Sequence, residues 1–447
     1  MTTKTTEPAP DQDTASLLLG ISGVTVAGAE EEHDGLLTVW ADASVRVPCP
    51  GCGEFSEKVH EYVTTRPRDI RSGNRAVRLF LRKRRLECGN GKCRRGTFTE
   101  WVPQVPPRCQ VTRRLLEHCG NEVADRGITP FEAARHNGVS WPTAYGAFKE
   151  KAEKILPGSP EPVLHLGIDE HRRGRARWLE NSETGGYVLI ADRWHTCFYD
   201  LSGDQGLLGQ VEGRTADDAA YWLAGAEQDW RDAVEYAAID MCTICKSAVT
   251  RMLPEAKIAV DLFHVVQLAV KAAGDVRRRA IRELYGRRGK SGDPEYGIRH
   301  LLEKNLENLS PEQFEKVIEV LDATGPGQQV LLAWIAKEKL RDALNTRARV
   351  TGSVPCERQV RDRLFAFYDW CAQNEQVTAL TALAGTVSRW EREIVTAVLA
   401  GVTNARSESL NRIAKLEARQ AYGFRNPANQ RLRVRIACTR GTRRNAA

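Results

Sequence analysis

The sequence predicts a multidomain α+β protein: an N-terminal cysteine-bearing module, a helix-turn-helix, and a strand-and-helix domain interrupted by an all-α insertion. Three observations carry that prediction. Cys49 and Cys52, then Cys88 and Cys93, fall as two close pairs in CPGC and CGNGKC. Residues from Val163 to Phe263 alternate short apolar runs with amphipathic segments. From Leu268 to Ala400 the apolar positions recur almost wholly at helical spacing. At 447 residues the chain is long enough for several cores.

The bulk composition is ordinary for a water-soluble chain, 28% charged and 42% hydrophobic, with a formal net charge of +7. No basic-then-apolar leader opens it and no apolar run approaches ~18 residues, so a cytoplasmic protein with no membrane span is expected. The charge is uneven. From Arg406 to Ala447 there are 11 Lys or Arg against 2 acids, a net +9 that leaves the remainder at −2. Basic islands of this kind attract polyanions.

Residues 1–15 read as a disordered tail. In the module 16–110, Val24 to Glu32 and Leu36 to Ala41 flank the turn at His33 to Gly35 as a hairpin. Two cysteine pairs, each about a Gly-rich or Pro-Gly turn, are how a chain sets four thiolates around one tetrahedral zinc. A zinc-binding module with structural Zn2+ on Cys49, Cys52, Cys88 and Cys93 is therefore expected. The other eight of the 12 cysteines are scattered, which argues against a disulfide framework. Between the pairs, AVRLFLRKRRL reads as a strand with one basic face. Arg82 and Arg84 are candidates to hold DNA phosphates, and a merely solvated face is the alternative.

Residues 111–157 are helical by period. VTRRLLEHCGNEVADRG is amphipathic and stops at Gly127. A short helix then leads to a turn at Asn137 and Gly138, and a second helix opens with Ser140 as cap and Pro142 in its first turn. Helix, tight turn, helix is the helix-turn-helix pattern, and Trp141, Thr143 and Lys149 would then face DNA. Any helical bundle contains such turns, so the pattern alone leaves that alternative open.

The next domain is expected over 158–267 and 401–430. VLHLGIDE, Val163 to Glu170, reads as a short buried strand tipped by two acids, and a carboxylate there cannot stay buried unpaired. Gly186 to Asp192 and Thr196 to Leu201 read as an antiparallel pair. Thr215 caps a helix, VEYAAID is a second acid-tipped strand, Cys242 to Met252 is a helix, and Lys257 to Val260 is a last strand. That order resembles the ribonuclease-H-like one, in which Asp169 and Asp240 meet at the ends of neighbouring strands. Residues 268–400 form the all-α insertion, with Trp334, Trp370 and Trp390 as core anchors. Glu408 shares a helical face with Arg412, Lys415 and Arg419, which are further candidates for DNA contact. Residues 431–447 read as a basic tail.

Cutting a phosphodiester needs no protein nucleophile. It needs two divalent cations about 3.5–4 Å apart on carboxylates, and Mg2+ (or Mn2+) takes such oxygen ligands. Asp169, Asp240 and Glu408 would make that site; taken singly, each acid also fits a helix cap or a solvated strand end. The chain carries, in order, CPGCG, CGNGKCRRGTFTE, LGIDE, AIDM, DLFHVVQ and SESLNRIAKLEARQAYGFRNP. With these it resembles bacterial insertion-sequence transposases of the ISL3 family, which use a DDE triad.

The resemblance implies a ribonuclease-H-like catalytic domain interrupted by a helical insertion before the last acid. It implies Asp169, Asp240 and Glu408 as magnesium ligands. It also implies a zinc module and helix-turn-helix for terminal inverted repeats in double-stranded DNA, metal-dependent strand cleavage and strand transfer, and a homo-oligomer on the DNA. Asp261 and His264 match the family's D-x-x-H element, giving His264 a catalytic role at the scissile phosphate or a packing one. One departure stands out: MCTICKSAV follows Asp240, and Cys242 and Cys245, a C-x-x-C with no second pair nearby, read as two half-buried thiols rather than a zinc site. Two other functions fit the same residues, a domesticated DNA-binding regulator without catalysis and a ribonuclease-H-like nuclease that cuts without joining.

Overall fold

The computed structural model describes residues 14–172, 174–181, 185–424 and 426–445. Residues 1–13 of the expected tail lie outside the described residues, and Thr14 and Ala15 open a short helix, α1 (Thr14–Leu19). The chain divides into two units, Met1–Pro157 and Gly158–Ala447.

In the first unit β1 (Val24–Glu31) and β2 (Leu37–Ala43) pair antiparallel across the His33 to Gly35 turn. With β3 (Val59–Thr65), β4 (Val77–Glu87) and β5 (Thr97–Thr99) they form one sheet, order β1-β2-β4-β3 with β5 on β4. Period-2 alternation puts Leu79, Leu81 and Lys83 of β4 inside, and Arg78, Arg82 and Arg84 on the other face. Val39, Ala41, Leu79, Leu81, Val102 and Val105 make the core.

Three helices follow: α2 (Arg113–Ala124), α3 (Pro130–His136) and α4 (Trp141–Ile155). Each opens on a hydroxyl cap. Thr112, Thr129 and Ser140 accept from the backbone N–H three residues on, and Glu132 closes a reciprocal capping box with Thr129. Between α3 and α4 the chain turns through Gly138 at φ +62°, where a side chain would be strained.

The second unit is built on the sheet β10-β9-β6-β11-β12. Its strands are β6 (His165–Arg172), β9 (Trp194–Asp200), β10 (Leu207–Glu212), β11 (Tyr236–Ile239) and β12 (Lys257–Val260). β6, β9 and β10 run antiparallel in succession, while β11 lies parallel to both β6 and β12. The strand pair expected at 186–192 and 196–201 is corrected. β8 (Tyr187–Ala191) pairs with β7 (Arg177–Glu180) as a separate hairpin, and the partners of β9 are β6 and β10. Apolar content cannot rank pairing partners. Tyr187, Val188, Leu189 and Ile190 are exposed, whereas six of the seven residues of β9 are buried.

α5 (Ala216–Ala224) and α6 (Gln228–Asp232) precede β11, and α7 (Thr243–Met252) joins β11 to β12. α8 (Leu262–Tyr285) leaves β12 and opens a helical block. That block continues through α9 (Pro294–Gly297), α10 (Arg299–Glu303), α11 (Pro311–Asp322), α12 (Gly325–Leu344), α13 (Ala348–Thr351), α14 (Glu357–Gln373), α15 (Thr378–Arg389) and α16 (Glu391–Ala400). The boundary expected at 267/268 falls inside α8, because helical period carries no mark where one core ends. One buried apolar cluster runs from Leu166, Ile168 and Ile239 of the sheet to Val265, Trp334, Phe367 and Trp390 of the block. The helices therefore share the sheet's core.

α17 (Ala405–Gln420) and α18 (Pro427–Asn445) close the chain. The basic tail expected from residue 431 is a helix instead. Val434, Ile436, Ala437 and Cys438 are buried, and Arg433 and Arg440 both pair with buried Glu417 at 2.6 Å. Counting charges could not show that part of this basic run points inward.

Candidate active site and zinc module

The parallel register pairs Ile168 of β6 with Ile239 of β11, so Asp169 and Asp240 stand one step further on, where that pairing ends. Asp240 follows β11, but β6 is not tipped by its acids as expected and runs on to Arg172 against β9. α17 lies across them. Ser407, fully buried, packs on Gly167, where a Cβ would overlap its Oγ and stand 2.9 Å from Leu201 Cδ2; only glycine lets the helix come this close. Asn404, Glu408 and Asn411 then share one face at i, i+4 and i+7. Asn404 Nδ2 donates to Asp240 Oδ1 at 3.2 Å, and Asn411 Nδ2 donates to Asp169 Oδ2. Asn404 is the helix's cap residue, yet it makes no side-chain capping bond and gives its amide to Asp240. The buried Tyr199 hydroxyl donates to Asn411 Oδ1 and so fixes which end of that amide faces Asp169.

Further acids and a base surround the pair. Asp261 caps α8, its Oδ1 accepting from Phe263 N at 2.9 Å, and its own N–H donates to Ile239 O at 3.0 Å. One turn into α8, His264 Nε2 lies 3.3 Å from Asp240 Oδ2. That hydrogen bond raises the His264 pKa, favouring imidazolium. Burial, then the charge of Asp240, pushes Asp169 up to about 6. Burial raises Asp261 as well. Glu170 next door is pushed up to about 7, by burial first and the negative charge of the Cys242 thiolate second. Carboxylates crowded this way lack positive charge, and a divalent cation is the species that would relieve them.

Among the described residues, Asp240, Asp261 and His264 offer ligand atoms within 4.8 Å of one another; Asp169, Asp240 and Glu408 do not form such a group. The Glu408 side chain is more than half exposed and accepts from Arg412 at 2.8 Å. Its charge is still felt at Asp261, and that of Lys415 at Asp169. The structure thus brings Asp169, Asp240 and His264 together and sets Glu408 on the helix that clamps both aspartates, turned toward solvent. Lys415 and Arg419 are exposed on that helix. Asn404, Asn411 and Tyr199 were missed from sequence. The two asparagines carried a signal, since they stand four before and three after Glu408.

In the first unit the four cysteine sulfurs lie within 4.8 Å of one another, with Cys49 to Cys93 at 4.0 Å and Cys52 to Cys88 at 3.5 Å. A tetrahedral zinc with Zn–S of ~2.3 Å has sulfurs about 3.8 Å apart, so this donor set fits the ion. The arginines between the pairs are less free than their number suggests. Arg82 forks onto Asp42 at 2.6 Å, and Arg84 holds the buried Glu100 at 2.7 Å. Arg75, Arg78 and Arg85 pair with Glu31, Glu32 and Glu61. On α4, Trp141 is exposed and stacks on Tyr145 at 4.9 Å, Lys149 is exposed, and Thr143 is half-buried with its hydroxyl on Ser140 at 2.8 Å. No helix among the described residues is long and apolar enough to cross a membrane.

Comparison with known proteins adds a family. The DDE ISL3 profile, described as "Transposase", matches residues 166–434, and the ISL3 zinc-ribbon profile, described as "zinc-finger of transposase IS204/IS1001/IS1096/IS1165", matches residues 46–93. The chain is 24% identical over 424 residues to the transposase for insertion sequence element IS1001 of Bordetella parapertussis, covering 91% of this chain and 93% of that protein. It is 28% identical over 214 residues to the transposase for insertion sequence element IS1557 of Mycobacterium tuberculosis, covering 43% of this chain and 45% of that protein. The Drosophila P element transposase strand transfer complex aligns at a TM-score of 0.37 and 10% identity, over 72% of this chain and 91% of that chain, a likeness too slight to carry an argument.

Proposed function

This chain belongs to the ISL3 family of transposases, and on that premise we propose that it cuts and joins DNA at a site built on Asp169, Asp240 and Glu408. One observation carries the proposal. A single helix face holds Asp169 through Asn411 and Asp240 through Asn404, with Glu408 between the two contacts. The strand order β10-β9-β6-β11-β12, with Asp169 and Asp240 where the pairing of β6 with β11 ends, supports a ribonuclease-H-like reading of the domain.

The donor set, three carboxylates with a histidine beside them, suits hard divalent cations. Two Mg2+ (or Mn2+) ions there would activate the attacking oxygen and steady the leaving one. The chain's own groups do the remainder. Asn404, Asn411 and Tyr199 hold the aspartates in one orientation, as outer partners of metal ligands do. The hydrogen bond to Asp240 raises the His264 pKa, and the imidazolium form would pass a proton to a departing oxygen. Lys415 and Arg412 supply positive charge at the mouth for a phosphate. In the first step water attacks phosphorus, the P–O3′ bond breaks, and a free 3′-hydroxyl is left. In the second that hydroxyl attacks a phosphate of target DNA, a new P–O3′ bond forms, the target's own P–O3′ bond breaks, and the proton of the attacking hydroxyl passes by way of solvent to the 3′-oxygen left on the target strand. The zinc module and the α3–α4 pair, through Trp141 and Lys149, would hold the terminal inverted repeats, and pairing two ends calls for at least two copies of the chain.

The test is strand cleavage and joining of DNA bearing the element's ends in Mg2+, by wild type and by Asp169→Asn, Asp240→Asn and Glu408→Gln. Wild type should yield nicked and joined products and each variant neither. Cleavage without joining would favour a nuclease. Specific binding without cleavage would favour a regulator, and wild-type cleavage by any one variant would remove that acid from the site.

A further inference from the structure

Glu170, Cys242 and Cys245 form a cluster that the proposed reaction does not use. One ligand atom from each lies within 4.8 Å of the others. Cys245 Sγ stands 3.9 Å from Glu170 Oε1. Two elements, β6 and the start of α7, converge to make it. Glu170 follows Asp169 on β6, Cys242 caps α7 two residues beyond Asp240, and Cys245 lies in the first turn of α7. The i, i+3 spacing turns both sulfurs to one side of that helix start. Cys245 is buried while Cys242 and Glu170 are half-buried, so an ion from solvent has a way in.

The chemistry of this donor set differs from that of the aspartates beside it. Two thiolates and a carboxylate suit a borderline-soft cation, with Zn–S of ~2.3 Å and Zn–O of ~2.0–2.2 Å; Mg2+ avoids sulfur and takes oxygen. Three protein ligands leave a fourth position open. We propose that Cys242, Cys245 and Glu170 form a second zinc site, separate from the four-cysteine module and set beside the aspartate pair. As Zn2+ binds, both thiols release their protons to solvent and two Zn–S bonds form. Such an ion ties the start of α7 to β6, the two segments whose adjoining residues are Asp240 and Asp169.

Zinc content of the full chain, measured by elemental analysis after purification in zinc-containing buffer and desalting, tests this without reference to DNA cleavage. Two zinc ions per chain are expected in wild type and one in Cys242→Ser/Cys245→Ser. Equal zinc in both would overturn the proposal. Should the variant fold poorly, wild type alone decides through peptide mass spectrometry. Zn2+ should slow alkylation of Cys242 at least tenfold relative to Mg2+, and an unchanged rate would overturn the site.

Discussion

The two metal-type clusters assigned from sequence differ in how far they are assembled. The four sulfurs of the zinc module stand at tetrahedral spacing, with pairs at 3.5 and 4.0 Å. The three acids of the proposed active site do not gather within 4.8 Å, and Glu408 pairs with Arg412 instead. Charge explains the difference. Neutral thiols can touch without repulsion. Carboxylates at neutral pH repel, and Asp169, raised by burial first and by the charge of Asp240 second, shows the cost of bringing even two together without a cation. Chain connectivity adds to it. Each cysteine pair sits on its own short turn, whereas the acids come from β6, the end of β11 and α17.

Breaking the closed cluster should have the largest effect. Zinc in such modules supplies on the order of 10 kcal/mol of folding free energy, so Cys88→Ser should unfold residues 46–93, the span of the zinc-ribbon match. Hydrogen exchange would show protection lost there and kept in the sheet of the second unit; retained protection in both would mean the module folds without metal.

The open cluster should respond to pH in the opposite sense from a salt-bridged acid. Asp169 titrates at about 6 in the folded chain against an ordinary value of 3.8. The folded state therefore holds the proton more tightly, and this group's destabilising contribution is largest above pH 6 and vanishes below pH 4. A shift of this size corresponds to at most about 3 kcal/mol. Without added magnesium, wild type should gain stability between pH 7.5 and 4.5 relative to Asp169→Asn, read as the difference between their denaturant midpoints. Parallel pH curves would show that Asp169 is not strained.

Removing an outer partner should have a smaller effect. Asn411→Ala leaves every proposed ligand in place but frees the Asp169 carboxylate, and loss of such partners lowers metal affinity roughly 10–100-fold. Calorimetric Mg2+ titration would show it, with unchanged affinity assigning Asn411 to packing alone.

The smallest change concerns Glu408. Its exposed pair with Arg412 is worth below about 0.5 kcal/mol, so Arg412→Ala should leave stability unaltered while Mg2+ affinity rises modestly as Glu408 is released. Weaker Mg2+ binding in that variant would show that the pair orients Glu408.

Short-range chemistry determined by itself the cysteine turns, the first hairpin, the helices opening after Thr129 and Ser140, and the presence of strands at Asp169 and Asp240, though not the run of β6 on to Arg172. These depend on residues a few positions apart, where backbone geometry relates pattern to structure directly. Only the tertiary structure decided that β9 rather than β8 joins β6, that residues 427–445 pack as a helix, and that Arg82 and Arg84 are paired with Asp42 and Glu100. It alone set Asn411 of α17 on Asp169, 242 positions earlier in the chain. Partners so distant in sequence are selected by the free energy of the whole packed unit, which no local pattern records.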